Sequence, residues 1–373
     1  MDREWVFGEP LQETWEGRSA RRNWSWALVL AVAAWLCPER ASADVAGADL
    51  RSLLGHSEMV AIGSVTAVTS TTGSPGLSKA RILVEENLKG TAPGSIEIDF
   101  DSNATEAVRF ATGSRVVLFL RRTGTPATIT LASRVHGAME VPPAKLDPAR
   151  AVLRKVIQAG SGLRLSTVRT NLLRTSGEPP RPLVGSLLRS LTSTLSASDA
   201  SLLTEMACAA PNAYLPAAHL WAMRQAGVHR LPAARSCLEA AVAATDLSRR
   251  LAAAEALGNL RDVRSLAVLG SVLDSVMSGS TDGSGRPADG GLAVSLVLAM
   301  GKLRDPAAVS RLLTLASGEE DLALHSTVVH ALGLIGGTEA VAALTTIGNS
   351  HPNALVRELA RQALARLGQG RMS

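Results

Sequence analysis

One seven-residue phrase recurs through the second half of the chain. Ala256-Leu257-Gly258-Asn259-Leu260-Arg261-Asp262 returns as Ala299-Met300-Gly301-Lys302-Leu303-Arg304-Asp305. It returns again as Ala331-Leu332-Gly333-Leu334-Ile335-Gly336-Gly337, and more weakly as Ala363-Leu364-Ala365-Arg366-Leu367-Gly368. The intervals are 43, 32 and 32 residues. A fixed period of this length is the mark of a repeat architecture, in which each unit cannot bury its apolar face alone and stacks on its neighbours. The long first interval contains Ser278 to Gly291, a tract of Gly, Ser, Asp and Pro that reads as a polar loop interrupting one repeat. Upstream, Ala222-Met223-Arg224 stands 34 residues before Ala256, so a degenerate repeat is expected to begin near Tyr214.

Each phrase predicts the end of one helix. Its small residues would let that helix approach its hairpin partner closely. Asp305-Pro306 then opens the next helix, with proline in a first turn where its missing N–H costs nothing. Val309, Leu312, Leu313 and Ala316 follow at helical spacing. These units resemble HEAT repeats, in particular the short HEAT-like type named after phycobilisome lyases, over about residues 214–370. The resemblance implies an α-solenoid across 214–373. Residues 147–213 read as divergent or capping helices, with a Pro/Gly-rich loop or linker from Ser176 to Pro182.

Between residues 44 and 146 the period changes to two. Met59–Val68, Ala80–Glu85, Ser95–Phe100, Arg115–Leu120 and Ala127–Ser133 read as short strands. Thr72–Gly76, Lys89-Gly90, Pro93-Gly94, Gly113 and Thr123-Gly124 separate them as turns. Five or six strands in about a hundred residues suggest a closed or half-open barrel. The order of elements resembles the OB-type barrel of netrin/TIMP-like modules, without their disulfides. The fold class expected is therefore α+β and multidomain: a small OB-like β-barrel followed by a solenoid of HEAT-like hairpins. Composition agrees. Aromatic residues make up 3% of the chain, and five of the six tryptophans fall in the first 35 residues, so the helical core must be built from Ala, Leu and Val.

Residues 1–43 read as a signal peptide with an N-terminal extension. Arg18, Arg21 and Arg22 precede the apolar run Trp24–Cys37, and Ala41-Ser42-Ala43 supplies a cleavage site between Ala43 and Asp44. The run is short of the roughly 20 apolar residues that span a bilayer, so no stable membrane span is expected after cleavage. Arg21-Arg22-Asn23-Trp24 leaves Sec and twin-arginine export both open. The protein is expected in the periplasm or secreted. There Cys208 and Cys237, 29 positions apart, could form a disulfide or remain as two buried thiols.

The search for chemistry is largely negative. No His-Glu-x-x-His, Cys-x-x-Cys, nucleophile elbow, phosphate-binding loop or dinucleotide fingerprint occurs. His325 and His330 are five apart, on different faces of a helix, and read as packing or surface residues. Asp282 and Asp289 do not match a calcium loop. The chain has no His-Glu dipeptide, the feature through which one class of HEAT-repeat enzyme binds iron. Neither metal nor cofactor is expected. The net charge of +5 comes from scattered residues, and the stacking aromatics that single-stranded nucleic acid needs are nearly absent, so nucleic acid is not the expected partner. Resemblance to the lyases raises chromophore attachment to an acceptor protein, against which the export signal argues.

The expectation is an exported, non-enzymatic protein-binding scaffold. The alternative is an exported enzyme or enzyme subunit with a dispersed site. The resemblance to HEAT solenoids implies that second helices line a concave face, which points to Arg264, Ser310, Arg311 and Glu339 as ligand-facing candidates. Arg261 and Arg304 share one position in two repeats, where capping of helix carbonyls would explain them.

Overall fold

The computed structural model describes residues 49–71, 76–103, 109–124, 128–133, 136–169, 178–279, 290–317 and 321–369. The signal segment with its cleavage point at Ala43 and Asp44 lies outside these residues, as do Asp282 and Asp289 of the polar tract.

A short helix, α1 (Leu50–His56), comes first, inside the stretch expected to be purely β. The Asp49 side chain caps it by accepting from the Ser52 N–H at 2.8 Å. At its other end Lys89 Nζ donates to the Leu54 and Ser57 carbonyls, each at 2.6 Å, placing a cation where the helix dipole is negative. Six strands follow: β1 (Met59–Ser70), β2 (Leu77–Lys89), β3 (Ser95–Asp101), β4 (Arg115–Thr123), β5 (Thr128–Leu131) and β6 (Ala138–Glu140). All pair antiparallel in the order β3-β2-β1-β4-β5, with β6 sharing the outer edge of β4. Strands β3 and β5 come alongside each other, but no hydrogen-bonded ladder joins them among the described residues. The sheet is therefore open, and a closed barrel is not formed.

Both faces of its centre are buried. Met59, Ala61, Val116, Leu118 and Leu120 face one core with Ile82, Ile96, Ile98 and Phe100. Val60, Ile62, Val117 and Phe119 face the other, together with α1 and the helices that follow. Double burial is why β4 reads as an unbroken apolar run rather than an alternation. The second core continues into α2 (Leu146–Ala159), which buries Ala149, Val152, Leu153 and Val156 at i, i+3, i+4 and i+7. Glu86 on β2 accepts from Arg150 Nε at 2.6 Å and from Arg154 at 2.7 Å, fixing the helix to the sheet. The described sheet and helices belong to one compact unit. The boundary expected at residue 146 thus falls within a shared core.

Three further helices lead to the array: α3 (Leu165–Arg169), α4 (Arg181–Thr192) and α5 (Ala200–Ala207). Helix α4 receives α1, whose Arg51 N–H donates to Ser190 Oγ at 3.0 Å. The array then runs α6 (Pro216–Val228), α7 (Arg235–Val242), α8 (Leu247–Leu260), α9 (Leu266–Ser278), α10 (Gly290–Leu303), α11 (Val309–Ala316), α12 (Leu322–Ile335), α13 (Gly337–Ser350) and α14 (Ala354–Gln369). First helices α6, α8, α10, α12 and α14 stack in succession, and α7, α9, α11 and α13 are their partners. Helices α7, α9 and α11 each begin with a 3-10 turn, which in α7 and α11 carries the proline.

The glycine of the repeated phrase has a different role from the one expected. A Cβ at Gly258 would stand 2.8 Å from Ala299 Cα, one at Gly301 2.6 Å from Ala331 Cα, and one at Gly227 2.6 Å from Ala256 Cα. Each glycine therefore meets the phrase alanine of the next repeat, not its own hairpin partner. The pattern also corrects the register of the first repeat. Gly227, not a position counted from Ala222, corresponds to Gly258.

Candidate functional site

Second helices are positioned by the turns before them. Asp262 and Asp305 sit in extended conformation and accept from the backbone N–H groups of Arg264 (3.1 Å) and Ala307 (2.9 Å). These caps orient the first turns of α9 and α11 side by side. Between them lies a cleft of about 330 Å³. Buried Met300 and Ala308 line it with Leu266, and Arg264, Asp305 and Arg311 supply its polar edge.

Both arginines are held in place. Arg264 forks onto Asp262, with Nη2 2.6 Å and Nε 2.9 Å from the carboxylate oxygens. The hydrogen bond from Arg264 holds the Asp262 carboxyl down at about 2, well below the usual carboxylate range, and the Arg264 guanidinium is correspondingly raised. Arg235 on α7 adds a second cation 3.5 Å from Asp262, and Ser265, fully buried, donates to Glu239 at 2.8 Å. Arg311 reaches back to the previous second helix, donating to the Gly270 carbonyl at 2.7 Å and pairing with Asp274 at 2.6 Å. It lies where a Cβ at Gly270 would be only 3.0 Å from the guanidinium carbon.

Of the four candidates on second helices, the structure brings Arg264 and Arg311 to one cleft. Ser310 is exposed on α11 outside it, and Glu339 is exposed in the first turn of α13. Asp305 and Met300 were not legible as site residues, because each belongs to the repeat phrase and looks structural in one dimension. His325 and His330 part company. His325 is buried against His351, with ring nitrogens 3.1 Å apart, while His330 is exposed. Since the Asn353 N–H donates to His351 Nδ1, the neutral His351 carries its proton on Nε2 and donates to His325 Nδ1.

Cys208 and Cys237 form a disulfide, with Cα atoms 5.3 Å apart, joining the end of α5 to α7. Among the described residues no group of three or more His, Cys, Asp or Glu side chains could hold a metal, and no helix is long and apolar enough to cross a membrane.

Comparison with known families assigns the stacked hairpins. Residues 288–365 match the HEAT repeat model, and residues 249–275 match the PBS lyase HEAT-like repeat. Residues 249–275 and 288–365 are therefore HEAT-like repeats. A comparison with curated protein sequences finds no match. Among solved structures, the chain is similar to the complex of CpcE and CpcF of phycocyanin lyase from Nostoc sp. PCC7120, at 22% identity and a TM-score of 0.34. That match covers 46% of this chain and 65% of the other, so this chain spans less than two thirds of its relative's length. It is also similar to human deoxyhypusine hydroxylase in complex with glycerol, at 16% identity and a TM-score of 0.20, covering 52% of this chain and 92% of that one.

Proposed function

We propose that this protein is an exported, non-enzymatic scaffold that binds another protein through its HEAT array. The cleft between successive repeats carries the reading. An apolar floor with a fixed polar edge is the make-up of a protein-recognition patch, where charged groups set orientation and apolar area supplies affinity. Arg264 and Arg311 are preorganised by Asp262, Gly270 and Asp274, so little side-chain entropy remains to be lost on binding. The Cys208–Cys237 disulfide supports an oxidising compartment outside the cytoplasm. The sheet is read as an open OB-like module, supported by its long central β1 and by the approach of β3 to β5.

The test is a crosslinked capture of a C-terminally tagged chain from the envelope fraction of its native host, with N-terminal sequencing of the captured chain. A stoichiometric protein partner, lost on Arg311→Ala without loss of folding, together with a chain beginning at Asp44, is the expected result. An uncleaved cytoplasmic chain, or none captured above background, overturns it.

A further inference from the structure

The C-terminal end of the array is fastened through two buried histidines. His351 closes α13, and Asn353 opens α14 two residues later, accepting from the Leu355 N–H at 2.9 Å. His325 on α12 and His351 are 3% and 5% exposed, and their rings meet edge to face with centroids 4.9 Å apart. The neutral pair has two acceptor nitrogens, and both are in use. His351 Nδ1 accepts from the Asn353 N–H, and His325 Nδ1 accepts from His351 Nε2–H, each at 3.1 Å. An added proton must take one of them. On His351 Nδ1 it faces the Asn353 N–H and breaks the turn that starts α14. On His325 Nδ1 it faces the His351 N–H and breaks the bond between the two segments. Moving the His351 proton to Nδ1 restores that bond only by breaking the other. Either way a charge is left in a buried site, which is unfavourable.

The charged groups of the packed elements are already engaged. Arg357 on α14 sets a cation beside the pair, with Nη1 2.6 Å from the His351 carbonyl and 2.9 Å from that of Pro352. Glu358 and Arg361 pair with each other at 3.8 Å. Asp321 caps α12 through the Ala323 and Leu324 N–H groups, and Arg311 on α11 is bound to Gly270 and Asp274. Helix α13 has no charged residue after Glu339. Glu319 and Glu320, just before α12, lie outside the described residues. His330 on α12 feels Arg366 on α14 and Lys302 on α10. Partial burial, then these two cations, hold its imidazole below the ordinary value.

We propose that the His325–His351 pair is an acid-sensitive latch on α14. Neutral, it holds the helix against α12 and α13, where Val356, Ala360 and Ala363 are buried. Protonated, it lets the helix go and uncovers an apolar end of the stack. Histidine in an unfolded chain takes up a proton near pH 6.5, at about its unperturbed value. The open end accepts that proton and the closed end has no vacant nitrogen for it, so the latch is shut above about pH 6.5 and opens below it. Opening stays local, because each repeat contacts only its neighbours and a terminal one parts while the rest stays stacked. The latch goes beyond the scaffold reading and does not depend on it.

The experiment is hydrogen exchange of the full chain, read by mass spectrometry at about pH 7.5 and about pH 5.5, either side of an ordinary histidine, and corrected for the intrinsic rate at each pH. Protection of α14 is expected to fall roughly tenfold at the lower pH, the loss of about one hydrogen bond, and to return on neutralisation, while α8 keeps its protection. Nitrogen NMR of the imidazoles is expected to show both rings as Nε2–H tautomers at neutral pH, turning to imidazolium over the range in which α14 loses protection. The double variant His325→Gln, His351→Asn has no ring to protonate and keeps an acceptor for the Asn353 N–H. Its α14 is expected to exchange alike at both pH values, whereas His330→Gln is expected to keep the wild-type response. Protection of α14 unchanged by acid, an equal loss in α8, imidazolium formed without loss of protection, a response surviving in the double variant, or one abolished by His330→Gln overturns the latch. The wild-type exchange and spectra decide by themselves, so a double variant that fails to fold leaves the test standing.

Discussion

Glycine decides two opposite outcomes in this array, depending on what a methyl group would meet. At Gly258 and Gly301 the new Cβ would press on the backbone of the next repeat, at 2.8 and 2.6 Å. Alanine gains about 1 kcal/mol of helix propensity, but overpacking against backbone costs about 1–3 kcal/mol, so Gly258→Ala and Gly301→Ala are expected to destabilise. At Gly333 the nearest atom would be Ala363 Cβ at 3.8 Å, an ordinary contact. There the propensity term stands alone, and Gly333→Ala is expected to stabilise by about 0.5–1 kcal/mol. Urea melts of the three variants test the contrast in sign. The same phrase in sequence thus hides two environments. Asp262 gives a residue-level pH dependence. Its carboxyl lies at about 2 when folded, against an ordinary 3.8. A depressed acid contributes stability above its unfolded value, and that contribution is lost as pH falls from about 4 through 2. Asp262→Asn should flatten the fall of the urea midpoint over this window. An unchanged slope would assign the acid sensitivity to other carboxylates.

At the scale of elements, the disulfide and the sheet-to-helix ion pairs join parts that local sequence treats as separate. Cys208–Cys237 closes a loop of 29 residues across α5, α6 and α7. By the chain-entropy account such a crosslink is worth about 3–4 kcal/mol, so reduction, or Cys208→Ser with Cys237→Ser, is expected to lower the unfolding free energy by that order. Melts with and without reductant measure it. The pairing was open in the sequence, because 29 residues of spacing fits both bonded and free thiols. Only the placement of α7 beside the end of α5 brings the Cα atoms to 5.3 Å. The register of the first repeat was misread for a related reason. Its phrase reads Gln225-Ala226-Gly227, lacking the leading alanine, so alignment by letter slipped.

For the molecule as a whole, the shared core makes a prediction about cooperativity. Val60, Ile62, Val117 and Phe119 are nearly inaccessible and face α1, α2 and the helices beyond. A fragment of residues 44–146 would expose that face, and four large apolar side chains uncovered forfeit roughly 6–12 kcal/mol, at about 1.5–3 kcal/mol each. That is comparable to the whole stability of a small domain. The fragment is expected to show no cooperative thermal transition, whereas the whole chain should melt its sheet and first helices together. A sharp transition in the isolated fragment would restore an independent β-domain.

The repeat period, the apolar runs and alternations of β1 to β5 and the Asp305-Pro306 helix start were all legible in one dimension. Each is a local pattern set by backbone geometry and by which face of an element is apolar. The hairpin architecture and the antiparallel sheet follow from them. Tertiary structure decided the rest: that the sheet stays open, that its second face is completed by α1 and α2, and that Arg264 and Arg311 share a cleft while Ser310 and Glu339 do not. Those outcomes depend on contacts between residues far apart in the chain, where packing at close-packed density selects one arrangement among many that the local pattern permits.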